Sequence, residues 1–137
     1  MSAEEIIKQF GLERHVEGGW YKQTWLADTT IPEEVLGDPY NGSRQSASLI
    51  YFLLKKGEES RLHTVSSSEL WLYHDGGILE LEIGDQKVLL GPGHQYQGIV
   101  PSGVVQSARV LEGDYVLVSC VVSPAFDFAD FRLVQIR

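Results

Sequence analysis

The sequence predicts an all-β fold, a set of short strands closing on themselves as a sandwich or barrel, with one short helix at the N-terminus. Two observations carry this. From Ser46 onward, runs of β-branched, aromatic and aliphatic residues (46–54, 61–65, 69–74, 77–83, 86–90, 96–100, 104–110, 115–123 and 131–136) alternate with glycine- and proline-bearing breaks. Short strands bounded by such breaks at this spacing belong to sandwiches and barrels. Strong helix signals, by contrast, occur once, within the first eleven residues.

That helix has a legible start and stop. Ser2 stands as N-cap with Glu5 three positions on, the reciprocal pattern of a capping box. Ile6, Ile7 and Phe10 form an apolar stripe, and Gly11 suits the left-handed position just past the end. Glu17-Gly18-Gly19 follows. Two successive glycines allow positive φ or close backbone approach. The pair is read either as a bulge at a strand start or as a segment that lets Glu17, Trp20 and Tyr21 reach a pocket or a partner subunit. Residues 29–45, with two prolines, Asn41-Gly42 and Asp38-Pro39, read as an exposed excursion with one helical turn at 32–36. Beyond it, Gly57, Asp75-Gly76-Gly77, Gly84-Asp85, Gly91-Pro92-Gly93, Pro101-Ser102-Gly103 and Glu112-Gly113-Asp114 separate the strand runs. No linker or repeat interrupts the pattern, so residues 1–137 are expected to form one domain.

Composition narrows the classes of function. Apolar residues make up 43% and charged residues 22%, an ordinary globular balance. The net charge of −8, with no Lys/Arg cluster to offset it, disfavours nucleic acid and anionic membranes as partners. Cys120 is the only cysteine and lies in an apolar run, so it is expected to be a buried thiol. The first residues lack a basic stretch followed by an apolar one, and no apolar run reaches membrane-spanning length. A soluble cytoplasmic protein is the expectation.

The chemistry concentrates between residues 57 and 76. Gly57 is followed after five residues by His63, then by Val65, Glu69 and Gly76 at intervals of two, four and seven. Alternation along a strand puts His63 and Val65 on one side. Glu69, Trp71 and Tyr73 share a face of the next strand, and Leu70, Leu72 and His74 take the other. In a small barrel one face is the lumen. The hairpin therefore aims an imidazole, a carboxylate, an indole and a phenol into one cavity, the usual composition of a small-molecule site.

This spacing resembles the first motif of the cupin superfamily, G-x5-H-x-H-x3-E-x6-G, with Val65 in place of the second histidine. Pro101-Ser102-Gly103-Val104-Val105-Gln106 resembles the second, P-x-G-x2-H, with Gln106 in place of its histidine. Further blocks, His15-Val16-Glu17-Gly18-Gly19-Trp20-Tyr21, Ser48 to Leu54, Glu69-Leu70-Trp71, Val100 to Gly103 with Gln106-Ser107-Ala108, and Ser123 to Phe131, are similar in order to a family of small cupin-like proteins of unknown function. Val16, Thr64 and Ser68 depart from that family's proline, arginine and aspartate. The resemblance implies a cupin-type jelly-roll barrel similar to the dTDP-sugar epimerases, usually a homodimer.

His63, whose unperturbed pKa lies near neutrality, is the candidate base; Glu69 orients it or carries a second proton; Tyr73 is the candidate acid. His63 and Glu69 are equally readable as a paired structural couple. Glu17, Trp20, Tyr21, Arg44, Tyr51, Trp71, Gln97 and Gln106 are candidate ligand contacts. Trp71 and Tyr73 either stack on a ring or fill the barrel, and Tyr51 is expected to face the lumen with Leu49 and Leu53. Arg44 is read as neutralising an acidic ligand group or as a solvated loop residue. The two amides of Gln97 and Gln106 either contact ligand or satisfy backbone. A metal asks for three or four good donors. His63 and Glu69 are good and Gln106 is weak, so no cofactor is expected. His15, His74 and His94 are read as structural or surface groups, and Asp127 and Asp130 as fixing a closing turn. The expected function is small-molecule binding, with cofactor-independent isomerisation or epimerisation of a sugar-like or nucleotide-sugar substrate by His63. The alternatives are a non-catalytic metabolite-binding module and a metal-dependent cupin enzyme.

Overall fold

Two long strands organise the molecule. The computed structural model describes residues 1–134. In chain order it contains α1 (Ala3–Phe10), β1 (Glu13–Arg14), β2 (Trp20–Leu26), β3 (Thr30–Ile31), α2 (Glu33–Leu36), β4 (Arg44–Gln45), β5 (Ser48–Lys55), β6 (Glu59–Thr64), β7 (Ser68–Ile83), β8 (Gln86–Leu90), β9 (Gln97–Val100), β10 (Gln106–Ser123), a 3-10 turn (Phe128–Asp130) and β11 (Arg132–Leu133). The strand expected over 131–136 is met by β11; its last positions, 135 and 136, lie outside the described residues.

β7 and β10 run antiparallel along nearly their whole length, Ser123 opposite Ser68 at one end and Gln106 opposite Ile83 at the other. Residues 115–122 of β10 also pair with β5, and residues 106–109 with β6. The two strands thereby belong to two sheets at once. One half reads β2-β5-β10-β7-β9 and the other β11-β6-β10-β7-β8. Between them lies the main core, built from Phe52, Leu54, Trp71, Leu79, Leu81, Leu90, Val116, Val118 and their neighbours. This is the expected all-β jelly roll with a short N-terminal helix.

Passing from one half to the other bends both strands, and glycine permits it. A Cβ on Gly76 or Gly77 would overlap the carbonyls of Tyr115 and Glu112, and one on Gly113 would lie 2.8 Å from the Cα of Gly77. The hydroxyl of Tyr73 donates to the Gly76 and Gly77 carbonyls at 2.7 and 2.9 Å and ties the corner. The breaks at 75–77 and 112–114 are therefore not turns between separate strands, as the sequence suggests. They are register shifts inside continuous ones.

The outer face of β5 has its own cover. Leu53 and Leu117 pack beneath Ala3, Ile6 and Leu12, with Trp20, Tyr51 and Phe10 at the margins. Tyr51 stacks on Phe10 with ring centroids 4.7 Å apart. The expectation that Tyr51, Leu49 and Leu53 face the lumen is thus corrected: Phe52 and Leu54 face it, with Ile50, while Tyr51 and Leu53 lie under α1. The capping box is formed, Ser2 Oγ accepting from Glu5 N–H and Glu5 Oε1 accepting from Ser2 N–H at 2.9 Å. Ser2→Ala is expected to cost about 1 kcal/mol, read as a lower urea midpoint at unchanged slope.

Candidate functional site

The site is assembled from both ends of the chain. Ahead of β2, Gly18 and Gly19 adopt φ of +108° and +78°. They lie so close to Glu59 and to Phe52, Leu53 and Leu54 that a Cβ at either would collide. That approach, with Arg61 N–H donating to the Glu17 carbonyl at 2.7 Å, turns the Glu17 side chain inward. β6 carries His63, with Val65 just past its end, β7 carries Glu69 and Trp71, and β10 carries Gln106 and Cys120. The segment after β10 crosses over them and supplies Phe126, Asp127 and Phe128.

Together they enclose a cavity of about 410 Å³. Its polar groups are His15, Glu17, Glu69, Gln23, Ser48 and Asp127; Tyr21, Phe126, Phe128, Ile50, Val65, Val122 and Cys120 complete the wall. None of the lining residues is a lysine or arginine.

Behind the carboxylates sits a fixed hydrogen-bond chain. The Trp71 indole N–H donates to Gln106 Oε1 at 2.9 Å, and the Gln106 amide donates to Glu69 Oε1 at 3.0 Å. An indole can only donate, so the amide's orientation is decided. His63 Nδ1–H donates to the Arg61 carbonyl at 2.6 Å, leaving Nε2 to meet Glu17 Oε2 at 3.0 Å. Phe131 stacks on the imidazole at 5.2 Å.

Burial sets the protonation. It lifts the Glu69 carboxyl to about 7, against the hydrogen bonds from Gln106 and Cys120 that favour its anion. Burial, and then the neighbouring Glu69 charge, raise Glu17 well above the usual carboxylate range, and burial depresses His63. Both shifts favour the neutral form of the short Glu17–His63 contact over the ion pair, with a carboxyl O–H donating to Nε2. The interior penalises both charges, and Glu69 opposes a second anion beside it.

Among the residues expected at the site, Glu17, Tyr21 and Glu69 line the cavity, and His63, Trp71 and Gln106 stand directly behind it. The others lie elsewhere. Tyr73 spends its hydroxyl on the glycine corner. Trp20 is on the outer face between the Arg14 guanidinium and the Lys55 ammonium, 4.7 and 5.1 Å from its ring. Tyr51 is under α1. Arg44 is buried in an ion pair with Asp130 at 2.9 Å and is not a loop cation facing a ligand. Gln97 is exposed on β9. His15, expected to be structural or surface, lines the cavity, as do Phe126 and Phe128. The sequence signs of His15 are its place two residues before Glu17 and at the head of the block 15–21 that resembles the cupin-like family.

Two sheets wound together by shared strands, with an acid-bearing cavity between them, define a cupin-type jelly roll. The chain belongs to the family described as "Cupin superfamily (DUF985)", whose model matches residues 4–134. It is 29% identical over 159 residues to the uncharacterized protein YML079W of Saccharomyces cerevisiae, an alignment covering 98% of this chain and 76% of that protein. A hypothetical protein from Leishmania major superposes with a TM-score of 0.86 at 31% identity, covering 98% of this chain and 88% of that one. Protein SO0799 from Shewanella oneidensis superposes with a TM-score of 0.84 at 34% identity, covering 98% and 85%.

The metal that the cupin motifs imply does not fit these donors. Val65 offers hydrocarbon at the second histidine position, both nitrogens of His63 are engaged, and the Gln106 oxygen already accepts from Trp71. No cluster of three His, Cys, Asp or Glu groups suited to a metal occurs among the described residues. Nor is any helix among them long and apolar enough to cross a membrane.

Proposed function

We propose that this protein binds an uncharged, sugar-like hydroxycarbonyl compound and isomerises or epimerises it without a cofactor. The observation that carries the reading is the pair of carboxyl groups on one aromatic-walled cavity. Glu69 ionises near neutrality, and Glu17 shares a proton with His63. Proton transfer of this class needs a base and an acid whose environments hold them in opposite states. Glu69, as carboxylate, takes the proton from the carbon beside the carbonyl. The electron pair of that C–H bond moves to the carbonyl carbon–oxygen system, and the oxygen receives a proton from the Glu17–His63 couple. Reversal at the neighbouring carbon, or on the other face of the same carbon, gives isomer or epimer. His63 here supports Glu17 and is not itself the base, because neither ring nitrogen faces the cavity free.

The cavity's size suits a single sugar ring, and its rings suit the apolar face of one. Two carboxyls and no lining cation argue against the phosphates of a nucleotide sugar. The test is solvent exchange: uncharged four- to six-carbon aldoses and ketoses in D2O at neutral pD, followed by proton NMR. One member of the panel is expected to lose its α-proton signal, and Glu17→Gln to slow that loss roughly 100-fold. Binding without exchange by any member would replace the enzyme with a metabolite-binding module.

A further inference from the structure

We propose that His15 is the substrate-orienting donor of this cavity, a neutral imidazole whose Nε2–H hydrogen-bonds the carbonyl oxygen of the bound hydroxycarbonyl compound. The inference rests on the proton-transfer reading above and deepens it by assigning the group that polarises the substrate.

The tautomer follows from one contact. The backbone N–H of Glu17 donates to His15 Nδ1 at 3.1 Å. An amide nitrogen cannot accept, so Nδ1 carries no proton and a neutral ring must carry it on Nε2. That same contact couples the ring to the residue whose side chain is the proposed acid. Glu17 thus fixes the imidazole with its backbone while presenting its carboxyl to the cavity.

The surroundings keep the ring neutral and pack it on several sides. Five aromatic rings surround it: Tyr21 edge-on at 4.7 Å, Phe128 at 5.8 Å, Phe52 at 6.0 Å, Phe131 at 6.1 Å and Phe126 at 6.2 Å. Three of these, Tyr21, Phe126 and Phe128, line the cavity with it. No carboxylate forms an ion pair with it among the described residues; its charged neighbour, when protonated, would be His63. Burial first and His63 second therefore hold the ring unprotonated down to about pH 4. Nε2 makes no hydrogen bond to protein among the described residues. A ring that lines the cavity, with Nδ1 anchored to backbone and Nε2–H unpartnered, lacks only an acceptor.

The chemistry of the donor selects the ligand group. A cationic histidine would favour a carboxylate or phosphate, but a neutral one beside two carboxyls favours an uncharged oxygen. As negative charge builds on a carbonyl oxygen during proton removal, a fixed N–H donor stabilises it more than the ground state. The base at Glu69, the acid at Glu17 and the donor at His15 then meet one small molecule in the cavity that all three line. Packing alone explains the aromatic cage, but not why its one nitrogen-bearing ring has Nδ1 fixed to backbone and Nε2 unpartnered.

The experiment uses the full chain labelled with 15N, long-range 1H–15N correlation of its histidines from pH 4.5 to 8, and D-erythronohydroxamate as an uncharged enediol mimic. His15 is expected as the Nε2–H tautomer across this range, with its Nε2–H proton moving downfield as hydroxamate is added. His15→Phe, which keeps the ring stacking, is expected to bind the hydroxamate roughly 10- to 100-fold more weakly, and His15→Gln to recover part of that loss through its amide N–H. An Nδ1–H tautomer, an imidazolium at pH 7, equal binding by His15→Phe, or no hydroxamate binding by the native protein would overturn the assignment. These readouts need no turnover. An absence of sugar exchange would therefore sink the proton-transfer reading without touching them, and their failure would leave exchange by Glu69 and Glu17 intact.

Discussion

Replacing Glu69 by glutamine is expected to abolish α-proton exchange, by 100-fold or more, and at the same time to stabilise the protein at pH 8. Both effects come from one cause. Burial raises the folded-state pKa of Glu69 to about 7, from an ordinary value of 4.5. Below pH 4.5 the carboxyl is protonated in folded and unfolded chains alike, and its burial carries no electrostatic penalty. Between 4.5 and 7 the unfolded chain ionises while the folded one does not, so stability falls as pH rises. Above 7 the penalty is constant, about 3 kcal/mol at most for a shift of this size. Glutamine cannot ionise, and its amide oxygen still accepts from Gln106. Urea unfolding of the variant should therefore show a gain over the native protein approaching about 3 kcal/mol at pH 8, shrinking to nothing at pH 4.5. A variant that is weaker than native at both pH values would mean that the buried anion is well satisfied, and Glu69 would lose its claim to be a poised base.

The histidines contribute with the opposite slope. His15 is lowered to about 4 and His63 is lowered as well, chiefly by burial. Each binds its proton more tightly in the unfolded chain. Their contribution is complete above pH 6.5 and is lost as pH falls toward 4. Across the interval between the ordinary carboxyl and imidazole values the two sets offset one another, so the native protein should have a nearly flat stability profile there. In Glu69→Gln the histidine slope is exposed, and the variant should lose stability more steeply than the native protein on acidification.

How far the sequence reached is clearest at residues 63, 69 and 106. Their spacing put an imidazole, a carboxylate and an amide in one interior, and all three are buried there. Spacing could not say which of them touches the hollow and which stands behind it. That depends on Glu17, which arrives from a segment more than forty residues upstream and inserts its carboxyl in front of His63. Alternation likewise defined two faces of β5 without telling inside from outside. Leu53 at 0% and Phe52 at 1% exposure are equally buried, because α1 covers one face as fully as the opposite sheet covers the other. Tyr51 was placed on the wrong side for that reason. The role of His15 was not legible because it depends on the five rings gathered around it, three of which, Phe126, Phe128 and Phe131, come from the segment after β10.

The same limit governs the glycine corner, where the largest stability effect is expected. Gly77→Ala should cost roughly 3 kcal/mol or more, or yield no soluble protein. Read locally, Asp75-Gly76-Gly77 is a turn, and alanine in a turn is a mild change. In the fold it is the crossing of β7 over β10, where a Cβ on Gly77 would overlap the Glu112 carbonyl and come within 2.9 Å of the Gly113 Cα. Both obstacles are backbone, so no side chain can rotate away. Gly77 itself has no positive φ, so the penalty is steric and falls on the register of the two strands. Gly93→Ala is the control: it has φ of +83° and nothing within 4 Å of the added carbon. It carries only the left-handed backbone cost of about 1 kcal/mol. Thermal unfolding of the two variants beside the native chain decides the matter, and equal losses would mean that the corner yields. A rigid corner has a functional consequence. It sets the angle at which the first half of β7 leaves the second, and hence how deeply Glu69 stands in the cavity it lines with Glu17.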